Sequence, residues 1–359
     1  MDHWYTFDGS DKILSPALIF YPDRIKANIQ RMLEIAGDPT RLRPHVKTYK
    51  CKPIVRMQMD AGISKFKCAT LQEAQMLAEI KVPDVLVAYP LVGAACGKFI
   101  ELSKAYPDTQ FSCLIDHPDQ IAQWSVHSEE TIRVFIDLNV GMNRTGISPQ
   151  DLTGLVEQMT ENLDLIGWHL YDGHIRDIDP QTRRETVEEA FAFLPELLEQ
   201  LDPDRQLELV FGGSISFAEH ARHPERTLSP GTTLLWDQGY GSRFPDLPFE
   251  PAAILLSRII SKPGEHLICL DLGHKAVGSE MTVNPAYFPQ FPDAEIRVHS
   301  EEHLVLYSKQ AANARVGEIV WGIPWHICPT VALHREAQIV LDQRWQGSWP
   351  IDARHRIYS

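Results

Sequence analysis

"RLRPHVKTYK", residues 41 to 50, decides how the chain is read. In an extended strand side chains alternate between two faces, so Arg43, His45 and Lys47 point one way while Leu42 and Val46 point the other. On a solvated sheet such a face needs no explanation. On a strand lining a barrel it turns three basic side chains toward an enclosed space, where charge requires an anionic or hydrogen-bonding partner. The remainder of the chain decides between the two.

Upstream, "SPALIFY" reads as a short strand, and "PDRIKANIQRMLEIAG" sets Ile25, Ile29, Met32 and Leu33 on one helical face that Gly37 ends. From Leu42 onward eight β-type runs precede residue 240: "LRPHVK", "KFKCAT", "VLVAY", "FSCLID", "IRVFIDL", "LIGWHL", "LELVFGG" and "TLSPGTTLLW". Helical patterns such as "LQEAQMLAEI" and "RRETVEEAFAFLPELLEQL" fall between them. This alternation predicts a closed (β/α)8 TIM-type barrel rather than an open sheet. Beyond residue 250, "AAILLSRIISK", "HLICLDLG", "HLVLYS" and "EIVWGIPWHIC" are strand-like with Gly and Pro between them, which predicts an all-β domain. The expected organisation is a barrel over 18–250 and a C-terminal β-domain over 251–359, joined by an N-terminal strand within 1–17. Barrel chemistry sits at the C-terminal strand ends, which puts Lys47 at the mouth and makes a phosphate-bearing cofactor a suitable anionic partner.

With 44% hydrophobic and 23% charged residues, the chain has the composition of an ordinary globular protein. It holds no run of about 18 apolar residues that would cross a bilayer, and "MDHWYTFDGS" is not expected to act as a secretory signal. Forty-eight acidic against 34 basic residues, a formal charge of −14, disfavour nucleic acid or an anionic membrane as partner. Six cysteines without a CxxC suit reduced thiols in a cytoplasm.

Three short motifs suggest chemistry. "FGGS" places Gly212, Gly213 and Ser214 after a strand and before the helical run "SFAEHA", where backbone N–H groups and a hydroxyl suit a phosphate. An ordinary turn has the same residues. "SPGT", with Gly231 and Thr232, would complete the cup from the eighth strand. In "WHICPT", His326 and Cys328 are two apart, so an extended strand directs an imidazole and a thiol to one face, a pair that suits zinc. On its own H-x-C is common.

Taken in order, "RPHVKT", "FKCAT", "MNRTG", "FGGS", "SPGT", "SEEH" and "HIC" resemble the D-threonine aldolase and D-serine dehydratase branch of the alanine-racemase-like (fold-type III) pyridoxal phosphate enzymes, over nearly the whole chain. The resemblance implies that Lys47, rather than Lys50, is the Schiff-base lysine for pyridoxal 5'-phosphate. Arg43 and His45, as neighbouring cations, would help it lose its proton. It further implies Arg144 at the cofactor's phenolic oxygen, Tyr171 beside the pyridine ring, and Gly212, Gly213, Ser214, Gly231 and Thr232 around the phosphate. A divalent ion, zinc or manganese, would sit on His326 and Cys328, with Glu301 to His303 either orienting the ligands or forming a plain surface turn. His169 and His174 read as buried, satisfied histidines, and His274 and Lys275 as outer support. Tyr49 departs from the "KTHK" usual in that family.

The implied reaction is retro-aldol cleavage of a D-β-hydroxy amino acid such as D-threonine to glycine and an aldehyde, with His45 or water on the metal as base. D-serine dehydration is the alternative, towards which Cys328 tilts. An amino-acid racemase lacks support, because no motif for an opposed tyrosine base is evident. A non-catalytic pyridoxal phosphate-binding protein is disfavoured by the β-domain and the His326/Cys328 pair, since such relatives are single barrels. A homodimer paired head to tail, with active sites near the interface, is also implied.

Overall fold

The computed structural model describes residues 3–127, 129–204, 206–281 and 284–356. The chain forms two compact units, a barrel unit of Met32–Lys47, Val55–Gly231 and His355–Ser359 and a β unit of Met1–Arg31, Thr48–Ile54 and Thr232–Arg354.

The first strand, β1 (Ala17–Phe20), belongs to the β unit. The barrel unit follows with β2 (Lys65–Cys68), β3 (Asp84–Pro90), β4 (Gln110–Ile115), β5 (Ile132–Leu138), β6 (Leu163–Leu170), β7 (Glu208–Phe211) and β8 (Arg226–Leu228). Among the described residues these make one parallel sheet in the order β2 to β8. Leu42 pairs with Leu228 of β8 and His45 with Lys67 of β2, so the opening stretch is the eighth stave that closes the ring. It is a pair of bridges rather than the continuous strand expected, because Pro44 has no N–H to donate. The adjoining amides comply: Arg43 N–H donates to Leu228 O at 2.8 Å and His45 N–H to Pro230 O at 2.8 Å.

Parallel strands covered on both faces read as near-continuous apolar runs, and "IRVFIDL" is one. Leu86, Leu114, Phe135 and Val210 meet inside the barrel, each burial worth about 1.5–3 kcal/mol. The helix Leu71–Glu79 starts where Thr70 Oγ1 accepts the Glu73 N–H at 3.1 Å. The long helical run after residue 180 divides into Pro180–Ala190 and Leu194–Leu201. Pro195 explains the break, since proline is tolerated only in a helix's first turn.

In the β unit, β1 is inserted between β9 (Ala253–Gly264) and β15 (Glu336–Leu341), antiparallel to the first and parallel to the second. The wider sheet adds β10 (Leu267–Leu270), β11 (Ala286–Tyr287), β12 (Glu295–His299), β13 (Leu304–Tyr307), β14 (Ile319–Pro324) and β16 (Arg344–Pro350). Its core joins Tyr5, Ile19, Tyr21, Ile254, Leu256 and Trp321. β14 stops at Pro324, and the residues after it open the helix Ile327–Leu333, where an extended strand was expected.

Candidate active site

The stretch that opened the question has two ends with different fates. Arg43 is sealed inside the barrel unit, with Nη1 2.6 Å from Asp84 Oδ1 and Nη2 2.7 Å from Glu208 Oε2. Those carboxylates begin β3 and β7, so Arg43 serves the N-terminal end of the strands and finds its anions within the protein. The expectation that it neighbours Lys47 in the chemistry is therefore corrected. Past His45, residues Val46–Thr48 tighten into a 3₁₀ turn, which takes Lys47 out of strand alternation. The Lys47 backbone N–H donates to His45 Nδ1 at 3.3 Å, so a neutral His45 carries its proton on Nε2.

Lys47 Nζ lies 5.6 Å from the centre of the Tyr171 ring, Lys67 Nζ 5.8 Å and the Arg144 guanidinium 5.1 Å. Three cations about one phenol attract an anionic ligand. Lys67, unremarked in the sequence, is buried in full and holds His169 Nε2 at 3.3 Å, while His169 Nδ1 lies 2.6 Å from Asp137 Oδ1. Burial, then the Lys47 charge, lowers the Lys67 pKa to about 7 despite Asp137. Burial likewise holds His169 below the usual histidine value, so its ring is neutral, donating from Nδ1 and accepting at Nε2. His169 is thus the satisfied histidine expected, whereas His174 is exposed.

Arg144 is held by the loop "NVGMNRTG". Asn139 Oδ1 accepts the N–H groups of Gly141 and Asn143, both at 3.1 Å. Gly146 adopts φ +99°, and a Cβ there would stand 2.6 Å from the Asn139 nitrogen, so only glycine fits.

The phosphate-type loops lie in the same unit. Gly212 turns at φ +73° after β7, and a Cβ on Gly213 would come within 3.2 Å of the Tyr171 ring. Ser214 Oγ accepts the Gly231 N–H at 3.1 Å, which ties the β7 loop to the β8 loop. The run after "FGGS" is a helix of only four residues, Phe217–His220, too short for an appreciable dipole. The loop amides and hydroxyls, not a helix terminus, are what a phosphate would find. An amine, a cationic surround and glycine-lined loops fit an aromatic aldehyde bearing a phosphate.

In the β unit, His326 precedes the helix Ile327–Leu333 and Cys328 lies in its first turn, yet the two side chains still meet. Burial pushes the Cys328 thiol up, but the His326 hydrogen bond and charge outweigh it, leaving the thiol below its ordinary value. Burial opposes charge on His326 too, and Cys328 with Glu280 overcomes it, raising the ring to about 9. Cys328 Sγ also lies 3.2 Å from Thr48 Oγ1 and 3.6 Å from Thr232 Oγ1. His326 Nδ1 bonds Glu280, so Nε2 and an easily ionised sulfur are the donors, a set that suits zinc. Among the described residues no group of three or more His, Cys, Asp or Glu side chains forms a metal cage. The "SEEH" turn does not orient these donors: Glu301 and Glu302 are exposed and pair with Lys275. Glu280 takes the part considered for them, and Asp237, pushed up by burial to about 6, accepts the Ile327 N–H at 3.0 Å.

An eight-stave barrel with a lysine at one stave's end, followed by a mixed β unit, defines the class of alanine-racemase-like proteins. Residues 21–237 match the family model described as "Alanine racemase, N-terminal domain", and the chain belongs to that family. Residues 252–340 match a "Putative serine dehydratase domain". The chain is 26% identical to the D-threonine aldolase of Arthrobacter sp. over 361 aligned positions, 97% of this chain and 94% of the relative. It is 24% identical over 367 positions, with the same coverages, to the 3-hydroxy-D-aspartate aldolase of Paracoccus denitrificans. The crystal structure of D-threonine aldolase from Filomicrobium marinum superposes with a TM-score of 0.84 at 28% identity, covering 96% of each chain. Among the described residues no helix is long and apolar enough to cross a membrane.

Proposed function

We propose that the chain is a pyridoxal-phosphate-dependent lyase that cleaves D-configured β-hydroxy-α-amino acids such as D-threonine to glycine and an aldehyde. The observation that carries this is the gathering of Lys47, Lys67 and Arg144 about Tyr171, in the unit that also presents Gly212–Ser214 and Gly231. The relatives' names support the choice of substrate class. Bound pyridoxal phosphate supplies an electron sink for cleavage at the substrate's Cα.

Lys47 provides the amine that anchors the aldehyde, and when free it takes or returns a proton at Nζ. Arg144 would donate to the cofactor's phenolic oxygen, and Tyr171 would pack beside its ring. The loops of Gly212, Gly213, Ser214, Gly231 and Thr232 would receive the phosphate. His45 is the candidate base: with its proton on Nε2 when neutral, it can take a further proton only at Nδ1, the nitrogen that accepts the Lys47 N–H. His326 and Cys328 would hold a divalent ion, zinc or manganese, which supplies Lewis acidity toward a hydroxyl. A homodimer in the cytoplasm, with no nucleic-acid or membrane partner, belongs to the same proposal, and sedimentation tests the dimer.

D-serine dehydration is the second reading, favoured by the serine dehydratase match over 252–340, which contains His326 and Cys328. Incubation with D-threonine and D-serine separates the two. Glycine with acetaldehyde supports the aldolase; pyruvate with ammonia from D-serine supports the dehydratase.

A further inference from the structure

Beneath the Gly212–Ser214 loop runs a buried chain of side chains that the proposed reaction does not touch. The Gly213 N–H donates to Ser216 Oγ at 3.3 Å, and the Ser216 hydroxyl donates to Asp172 Oδ1 at 2.8 Å. Asp172 Oδ2 lies 2.7 Å from His220 Nε2, and His220 Nδ1 lies 2.8 Å from Arg226 Nη1. Asp172 and His220 have no contact with solvent.

Donor chemistry fixes every proton. A guanidinium only donates, so His220 Nδ1 is the acceptor and the ring's proton is on Nε2, facing Asp172. Asp172 is then a carboxylate receiving two donors, and the oxygen of Ser216 is left to accept from Gly213. Burial works against that charge, and His220 and Ser216 outweigh it, keeping the carboxyl below its usual range. Arg226 is itself fixed, its guanidinium 4.5 Å from the Phe211 ring centre and 5.7 Å from that of Phe191. A Cβ on Gly212 would stand 2.7 Å from His220 Cδ2, so the imidazole is the floor on which the loop rests.

We infer that Asp172, Ser216 and His220 are positioning residues for the cofactor's phosphate, acting through Gly213 to hold residues 212–214 in one conformation before anything binds. A loop ordered in advance loses no conformational freedom on binding, and the difference appears as affinity. The inference rests on reading that loop as the phosphate cup.

The test titrates apoprotein with pyridoxal phosphate and with pyridoxal, which lacks the phosphate, and follows melting temperature alongside. Wild type binds the phosphorylated form more tightly. Ser216→Ala weakens pyridoxal phosphate about 10-fold, the worth of one hydrogen bond to a charged group, and leaves pyridoxal within about two-fold. Asp172→Asn moves the ratio the same way and further, whereas Ser216→Thr restores it. Unchanged preference in Ser216→Ala and Asp172→Asn overturns the inference. Absence of any preference in wild type removes the cup itself, and the inference with it.

Discussion

Lys67 Nζ lies 3.3 Å from His169 Nε2, and both side chains are buried. With Asp137 on the far nitrogen, the three form a buried line ending beside Tyr171. Lys67 belongs to a crowd of cations that an anionic ligand would relieve.

That crowding makes a prediction about pH. Free lysine holds its proton up to its ordinary value of 10.5, but folded Lys67 holds it only to about 7. Between those values the unfolded chain binds the extra proton, so the cost of burying this ammonium is borne in full below the lower value and is gone above the upper. Lys67→Met removes the penalty. Its melting temperature relative to wild type is expected to be highest at pH 7 and to fall steadily toward pH 10, and a difference that ignores pH would show that Lys67 keeps an ordinary pKa.

Arg43→Met is expected to lower unfolding free energy by about 3–5 kcal/mol, because it takes the arginine from Asp84 and leaves Glu208 with Lys65 alone in a poorly solvated place. Urea titration measures it. Cofactor colour per folded molecule should be unchanged; wild-type stability with lost colour would return Arg43 to the chemistry.

For the metal, Cys328→Ala is expected to lose bound zinc, measured by elemental analysis, and at least about tenfold in turnover while keeping the cofactor's visible band. Dialysis against EDTA should reproduce this in wild type. Full activity in metal-free protein would remove His326 and Cys328 from the reaction.

Much of the barrel was legible because buried parallel strands leave continuous apolar runs, and "IRVFIDL" or "VLVAY" has few other readings. The closing stave was harder: Pro44 interrupts its ladder, and the turn at Val46–Thr48 breaks the alternation by which Arg43 and Lys47 seemed equivalent. Lys67 stayed hidden since "KFKCAT", with lysines at alternate positions, looks like a solvated face; its place in a sheet covered on both sides was the available signal. Glu280 lies 46 residues from His326 and Asp172 lies 48 from His220, and no local pattern encodes such pairs.

The central claim is a covalent bond from Lys47 to a pyridoxal phosphate aldehyde. Borohydride reduction of the loaded protein, followed by peptide mapping, tests it most directly. The account predicts a phosphopyridoxyl group on Lys47 and its loss in Lys47→Ala; a label on Lys67, on Lys50 or on no lysine would contradict it.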